Sequence, residues 1–197
     1  MTATAPQLAA LVTDIRACRI CADILEPNPV VHVSHTARLL IAGQAPGMRV
    51  HKTGLPFNDP SGDRLRDWMG IGRETFYDTR RVSIAGMAFC FPGYDDAGAD
   101  KPPPRICAQH WRVRLMETLP PMKLTLLVGS YAQQWHLGEA AKSTMTETVR
   151  AWRDFAPRHI PLPHPSWRNN GWLKKNPWFE TELVPYLRKR VRSALSS

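Results

Sequence analysis

Two kinds of apolar pattern alternate along this chain. Residues 5–17, APQLAALVTDIRA, set Leu8, Leu11, Val12 and Ile15 at helical spacing and predict a first helix. Residues 37–47, ARLLIAGQAPG, form a short continuous apolar run stopped by a Gly/Pro turn, which is the pattern of a buried strand. Residues 61–71, SGDRLRDWMGI, open on a serine suited to N-capping and carry Leu65, Trp68 and Met69 on one face, so a helix is expected. A second strand follows at 80–89 (RRVSIAGMAF), a helix at 107–119 (CAQHWRVRLMETL) and a third strand at 124–130 (LTLLVGS). Then come the helical SYAQQWHLG and a fourth strand at 159–163 (HIPLP). The closing stretch, NPWFETELVPYLRKRVRSAL, is an amphipathic helix that Pro185 should kink or divide.

Strands alternating with helices predict an α/β fold: a three-layer αβα sandwich around a mostly parallel, about four-stranded sheet. The whole chain, residues 1–197, is read as one domain. In such sheets ligands gather outside the carboxyl ends of the strands. Three of the four strands stop in loops rich in Gly, Pro, His, Asn or Asp: GQAPG, the loop after Cys90, and HPSWRNN. Their convergence would make one pocket. There is no internal repeat, no Walker-type phosphate loop and no G-x-G-x-x-G.

Charge narrows the partners. Lys and Arg number 26 against 17 Asp and Glu, a net charge of +9 that attracts polyanions, nucleic acid foremost. A membrane partner is not expected, since no run of about 18 apolar residues is present to span a bilayer. The N-terminal MTATAPQLAALVTDIRAC lacks a basic region followed by an apolar core, so a cytoplasmic monomer is the expectation. In that reducing compartment the four cysteines raise the question of metal rather than of disulfides. Cys18 and Cys21 form a C-x-x-C, while Cys90 and Cys107 bracket a loop holding Pro92, Gly93, Gly98, Pro102, Pro103 and Pro104. A zinc ribbon usually closes with a second C-x-x-C, so a cubane iron–sulfur cluster fits better, with zinc or plain buried thiols as alternatives.

With G-Q-A-P-G after the first strand, T-G-L-P-F shortly after it and H-P-S after the last, the sequence resembles the uracil-DNA glycosylase superfamily. The resemblance runs from Cys18 to about Asn170. It implies that the turn Gly43, Gln44, Ala45, Pro46 and Gly47 forms part of a uracil pocket, that Phe57 stacks on a flipped base, and that the H-P-S loop supplies His164 and DNA contacts. Cys18, Cys21, Cys90 and Cys107, with C-F-P-G resembling C-x-P-P-G, are similar to the ligands of the 4Fe-4S branches, families four and five. There the cluster's role would be structural. The departures are specific: Ala45 stands where an aspartate often positions water, Gln44 where family four has glutamate, and Gly86 where a recognition asparagine is common.

The chemistry then assigns roles. A glycosylase must flip its nucleotide out of the stack and hold it by stacking and edge hydrogen bonds. His164 would donate to the base oxygen as charge develops there, the competing reading being a strand-end cap. Phe57 would stack, against a core phenylalanine as the rival. Asp59 and Asn58 are candidates to position water, with His51 beside them; Asp63 reads as a first-turn helix residue. Gln44 could read the uracil edge. Ser166, Trp167 and Arg168 are the DNA candidates, Trp167 or Arg168 as a wedge filling the gap in the duplex, with Trp167 in the core as the rival. Lys174, Lys175, Arg188, Lys189, Arg190 and Arg192 would add phosphate contacts or form a solvated face. The expected activity is monofunctional excision of uracil from DNA, leaving an abasic site. The alternatives are a glycosylase for a wider set of deaminated bases, a catalytically weak binder of damaged or abasic DNA, and a zinc-held nucleic-acid module without a base pocket.

Overall fold

The structure, a computed structural model, describes residues 4–196. Its centre is a four-stranded sheet in the order β2-β1-β3-β4, formed by β1 (Leu39–Gly43), β2 (Val82–Gly86), β3 (Leu124–Val128) and β4 (His159–Leu162). Every pairing is parallel, with Leu39 opposite both Val82 and Leu124, and Leu126 opposite Ile160. β1 and β3 are buried along their whole length, as strands covered on both faces must be.

The period of two along each strand sorts the core into layers. Leu39, Ile41, Val82, Leu124 and Leu126 point to one face, where they meet Leu65, Trp68 and Met69 of the helix Pro60–Met69 and Leu187 and Val191 of the helix Val184–Leu195. Leu40 and Ala85 point to the other, against Leu8, Leu11 and Ile15 of the helix Ala5–Ala17 and Leu115 of the helix Val113–Thr118. Each fully buried Leu or Ile contributes roughly 1.5–3 kcal/mol. These residues therefore fix which helix covers which face.

Two local expectations are revised and a third is met. The helix expected to start after Ser61 starts at Pro60, because Asp59 rather than Ser61 is the N-cap: its side chain accepts from the Gly62 N–H. The helix expected over 107–119 is broken into Arg105–Cys107, a π-helical turn Ala108–Arg112 and Val113–Thr118. Such turns often mark functional positions. Pro185 does divide the last helix: a π-helical turn, Phe179–Leu183, ends where Val184–Leu195 begins, and the proline lies in the first turn, where a missing N–H costs nothing. Among the described residues no helix is long and apolar enough to cross a membrane.

β2 and β3 lie on opposite sides of β1, so the chain changes direction between β1 and β3. The crevice at the carboxyl ends of those two strands is where open α/β sheets bind ligands.

Candidate active site

The turn Gln44–Gly47 leaves β1 at that crevice. Its first residues keep pairing with the β2 side: the Gly43 carbonyl accepts from Met87 N (3.0 Å) and the Gln44 carbonyl from Ala88 N (2.9 Å). This tight return leaves no room for a side chain at Gly86, where a Cβ would sit 2.5 Å from the Ala88 carbonyl oxygen and 3.2 Å from that of Gln44. The missing asparagine is thus matched by a backbone that excludes it. The Gln44 side chain runs the other way, across the end of β3, where a Cβ on Gly129 would come within 2.9 Å of Gln44 Cδ. Gly129 also holds a φ of 85°, which disfavours any L side chain.

A cavity of roughly 80 Å³ opens here, walled by the turn, Phe57, Asp59, Ser61, Ile84, Gly86, Asp100 and His164. It leads into a groove of about 630 Å³ that shares Gln44, Asp59, Asp100 and His164 and adds Arg64, Lys101, Tyr131, Ser166, Trp167 and Arg168. A small chamber behind a wide basic and aromatic groove is the shape needed to take one unit out of a polymer.

Phe57 forms its wall under constraint. Its φ is 53°, a left-handed conformation that a bulky residue avoids unless its surroundings impose it. The surroundings are explicit. Tyr77 Oη donates to the carbonyls of Pro56 (3.0 Å) and Phe57 (3.1 Å), and Arg66 Nη1 to that of Phe57 (3.4 Å). Arg66 is itself buried and held by Asp63 Oδ1 at 2.5 Å. Gly62 closes the clamp, since a Cβ there would lie 1.8 Å from the Phe57 carbonyl oxygen. The ring lies edge-on to Phe76, with centroids 6.2 Å apart, and crosses the end of β1, 3.4 Å from where a Gly43 Cβ would be. It is a wall of the cavity and a neighbour of the core at once.

His164 is oriented from several sides. β4 is anchored where it ends: the Leu162 carbonyl accepts from Gly129 N and from Gln133 Nε2, both at 2.9 Å. Beyond it, Asn169 Nδ2 donates to the His164 carbonyl (2.6 Å) and Arg64 Nη1 to the Ser166 carbonyl (3.1 Å). The Ser166 N–H donates to His164 Nδ1 at 3.3 Å, so the ring proton sits on Nε2. Burial lowers the pKa of the imidazole, with Asp59 opposing and Arg168 reinforcing, so the ring is neutral at pH 7. What remains is a neutral N–H donor in the cavity wall.

The other candidates separate. Asp59 lines the cavity, but its Oδ1 already accepts from Gly62 N (2.9 Å) and Ser61 Oγ (2.5 Å). Asn58 is not part of the lining, and its Oδ1 accepts from Arg73 Nη2 (2.9 Å). His51 is buried in the short helix Met48–Thr53 with Nε2 3.5 Å from Glu26, and it too stands outside the lining. Trp167 is 70% exposed under the Arg168 guanidinium, 5.2 Å from its ring centroid, which overturns the core alternative for that tryptophan. Arg188 caps the helix Pro60–Met69 through the Asp67 carbonyl (2.9 Å), and Arg190 reaches the Pro157 carbonyl (3.4 Å), so both are engaged within the fold. Asp100, Tyr77, Arg66 and Gly62 were not expected. A glycine in the first turn of a predicted helix, where Gly is a poor choice, was the one available signal.

Cys18, Cys21, Cys90 and Cys107 carry free thiols and line one small, mainly apolar cavity with Ile15, Leu25, Phe89 and Trp111. Trp111 Nε1 donates to Cys18 Sγ at 3.3 Å. Burial pushes the Cys107 thiol up to about 12 and the Cys90 thiol up to about 11, with the neighbouring cysteines adding to both. An all-sulfur donor set suits zinc or an iron–sulfur cluster. Among the described residues, no group of three or more His, Cys, Asp or Glu is placed to hold a metal ion. Beneath this cavity the π-helical turn buries Arg112 completely, and its Nη1 donates to the carbonyls of Ala85 and Gly86, both at 3.0 Å. Its Nη2 meets His136 Nε2 at 2.7 Å. The end of β2 is thereby tied down next to the active-site turn.

A family model described as the Uracil DNA glycosylase superfamily matches residues 31–188, which takes in all four strands, the Phe57 clamp and the His164 loop. The chain therefore belongs to the uracil DNA glycosylase superfamily and is a DNA glycosylase, a hydrolase of N-glycosidic bonds acting in DNA repair.

Proposed function

We propose that the base this glycosylase removes is uracil, flipped from DNA into the small cavity and hydrolysed from its sugar to leave an abasic site. The observation that carries the reading is the neutral His164, its Nδ1 occupied by the Ser166 N–H and its Nε2–H left as donor in a cavity walled by the clamped Phe57. When the glycosidic bond breaks, its electron pair leaves with the base, and negative charge gathers on the ring oxygens. A hydrogen bond from a neutral imidazole strengthens at that moment, which is the differential stabilisation that catalysis needs. Phe57 offers a ring face for stacking, and the Gln44 side chain, held over Gly129, is the available amide for reading the base edge.

The wide groove is assigned to the DNA strand. Ser166, Trp167, Arg168, Arg64 and Lys101 line it, so phosphate contacts and a wedge come from the same loop that carries His164. Cys18, Cys21, Cys90 and Cys107 are assigned to a 4Fe-4S cluster. Four sulfur donors around one apolar cavity support it, and a cubane spreads its ligands more widely than a lone zinc ion. The cluster would supply structural cross-linking: it would join the first helix to the loop between Cys90 and Cys107.

A second reading has its own observation. Ala45 brings no carboxylate and Gly86 no amide, so the cavity carries fewer uracil-specific groups than its relatives resembled in sequence. That supports a wider set of deaminated bases, or a binder with weak chemistry. Oligonucleotides holding uracil or hypoxanthine, treated with excess protein and then alkali, separate the readings. Strand breaks at uracil are expected; breaks only at hypoxanthine favour the wider enzyme, and no break at either base refutes the enzyme reading.

A further inference from the structure

We propose that Asp100 is the residue that activates the attacking water, in place of the carboxylate that Ala45 lacks; the assignment rests on the uracil-excision reading above.

Asp100 lies on the loop between Cys90 and Cys107, more than fifty residues beyond the turn it reaches. A small hairpin delivers it. Tyr94 and Asp100 form an isolated antiparallel bridge, with Asp95 N donating to the Ala99 carbonyl (2.8 Å) and Lys101 N to that of Gly93 (2.9 Å). Asp95 Oδ1 accepts from Ala97 N (3.0 Å) and Ala99 N (2.8 Å), closing the tip, and Gly93 and Gly98 take the positive φ values of 87° and 73° that the bends require. Every one of these bonds lies within the hairpin, so its tip is a defined structure.

The hairpin sets Asp100 where the cavity opens into the groove, in the lining of both. Its Oδ2 is 3.7 Å from the position a Cβ would take on Gly47, two residues from Ala45 on the same turn. It stands at the rim, exposed, where water can reach it. The cavity's other carboxylate, Asp59, has Oδ1 engaged by two donors as a helix cap. Asp100 has no side-chain hydrogen bond or ion pair among the described residues, so both its oxygens are available.

The charged and titratable groups around it are Asp59 and His164 in the cavity and Arg64, Lys101, Tyr131 and Arg168 in the groove. Partial burial raises the pKa of the Asp100 carboxyl; Arg168 opposes and Asp59 adds to the rise. A carboxylate whose pKa is raised is, when ionised, a better proton acceptor. In the step itself, the sugar C1′–N1 bond breaks with its electron pair leaving on the base. The water oxygen bonds to C1′ and Asp100 takes the water's proton, which later returns to solvent. The base leaves as an anion held by His164 Nε2–H.

The test is single-turnover excision from a uracil-containing oligonucleotide by wild type, Asp100→Asn and Asp100→Glu, with DNA affinity measured in parallel on a non-cleavable duplex. Asp100→Asn should lose at least about a hundredfold in rate, the usual scale for a lost general base, and lose the acid limb of the pH–rate profile. Asp100→Glu should recover part of the rate, and affinity should stay within about threefold throughout. Since the hairpin is held by its own backbone and Asp95, thermal unfolding of both variants should match wild type. An Asp100→Asn rate near wild type overturns the assignment and leaves uracil excision standing. Rate and affinity falling together also overturn it, making Asp100 a DNA-positioning residue. A wild-type protein that excises nothing overturns both.

Discussion

Replacing Gly62 with alanine sets two physical effects of opposite sign against each other. Gly62 lies in the first turn of the helix Pro60–Met69, where helix propensity alone makes alanine the better residue by up to about 1 kcal/mol. The structure places a Cβ there 1.8 Å from the Phe57 carbonyl oxygen, 2.7 Å from its carbonyl carbon and 2.9 Å from its Cβ. Those are backbone and near-backbone atoms, which cannot rotate aside. Residue 57 has to move, and the hydrogen bonds from Tyr77 and Arg66 to its carbonyl go with it. Overpacking typically costs about 1–3 kcal/mol, and each bond adds roughly 1 kcal/mol. The steric and hydrogen-bond losses exceed the propensity gain, so Gly62→Ala is expected to be destabilising by about 2–4 kcal/mol. For a chain of this size that lowers Tm by roughly 2–4 °C per kcal/mol. Because Phe57 walls the cavity, excision should fall as well, at temperatures where the variant is still folded. The assays are thermal or urea unfolding and single-turnover excision. A neutral or more stable Gly62→Ala protein with unchanged kinetics would refute the clamp, and with it the claim that the strained Phe57 conformation is imposed from outside.

Three further outcomes are expected. His164→Ala should lower excision about a hundredfold to a thousandfold, the cost of one lost donor to a developing oxyanion, while unfolding by circular dichroism stays close to wild type; unchanged kinetics would remove it from the mechanism. Burial, with Arg112 and His159 adding, holds the pKa of His136 down at about 3 against 6.5 ordinarily, so the unfolded chain takes up a proton that the folded chain refuses. The stability this supplies is complete above pH 6.5 and is lost as the pH falls towards 3; denaturant unfolding at pH 7 and pH 4 should differ less in His136→Gln than in wild type, by on the order of 1–3 kcal/mol. Cys107→Ser should abolish the broad visible absorbance and the bound iron of anaerobically purified protein; a wild type that is colourless and iron-free would count against the cluster assignment.

The strand runs at 37–47, 80–89, 124–130 and 159–163 were legible because a strand covered on both faces must be apolar throughout, and that is a local property. The same held for the first helix, whose spacing of Leu8, Leu11 and Ile15 is its buried face. The turn after β1 and the H-P-S loop could be read as stretches of Gly, Pro and His at strand ends, whereas Phe57 was singled out only by the resemblance to the uracil-DNA glycosylase superfamily. Together they predicted a site at the carboxyl ends of the strands, where the structure opens a cavity. What the sequence could not determine is which residues of the converging loops meet. Asp100 comes to the Gly47 turn through a hairpin whose path depends on its own backbone bonds, and the reach of Arg112 into the end of β2 depends on a π-helical turn that no periodicity signals. The proton on His164 is decided by a backbone N–H two residues on, and Gly62 has its meaning only against the Phe57 carbonyl. Periodicity along a chain reports how each residue is buried; contacts between loops depend on distances across the fold, and only the tertiary structure supplies those.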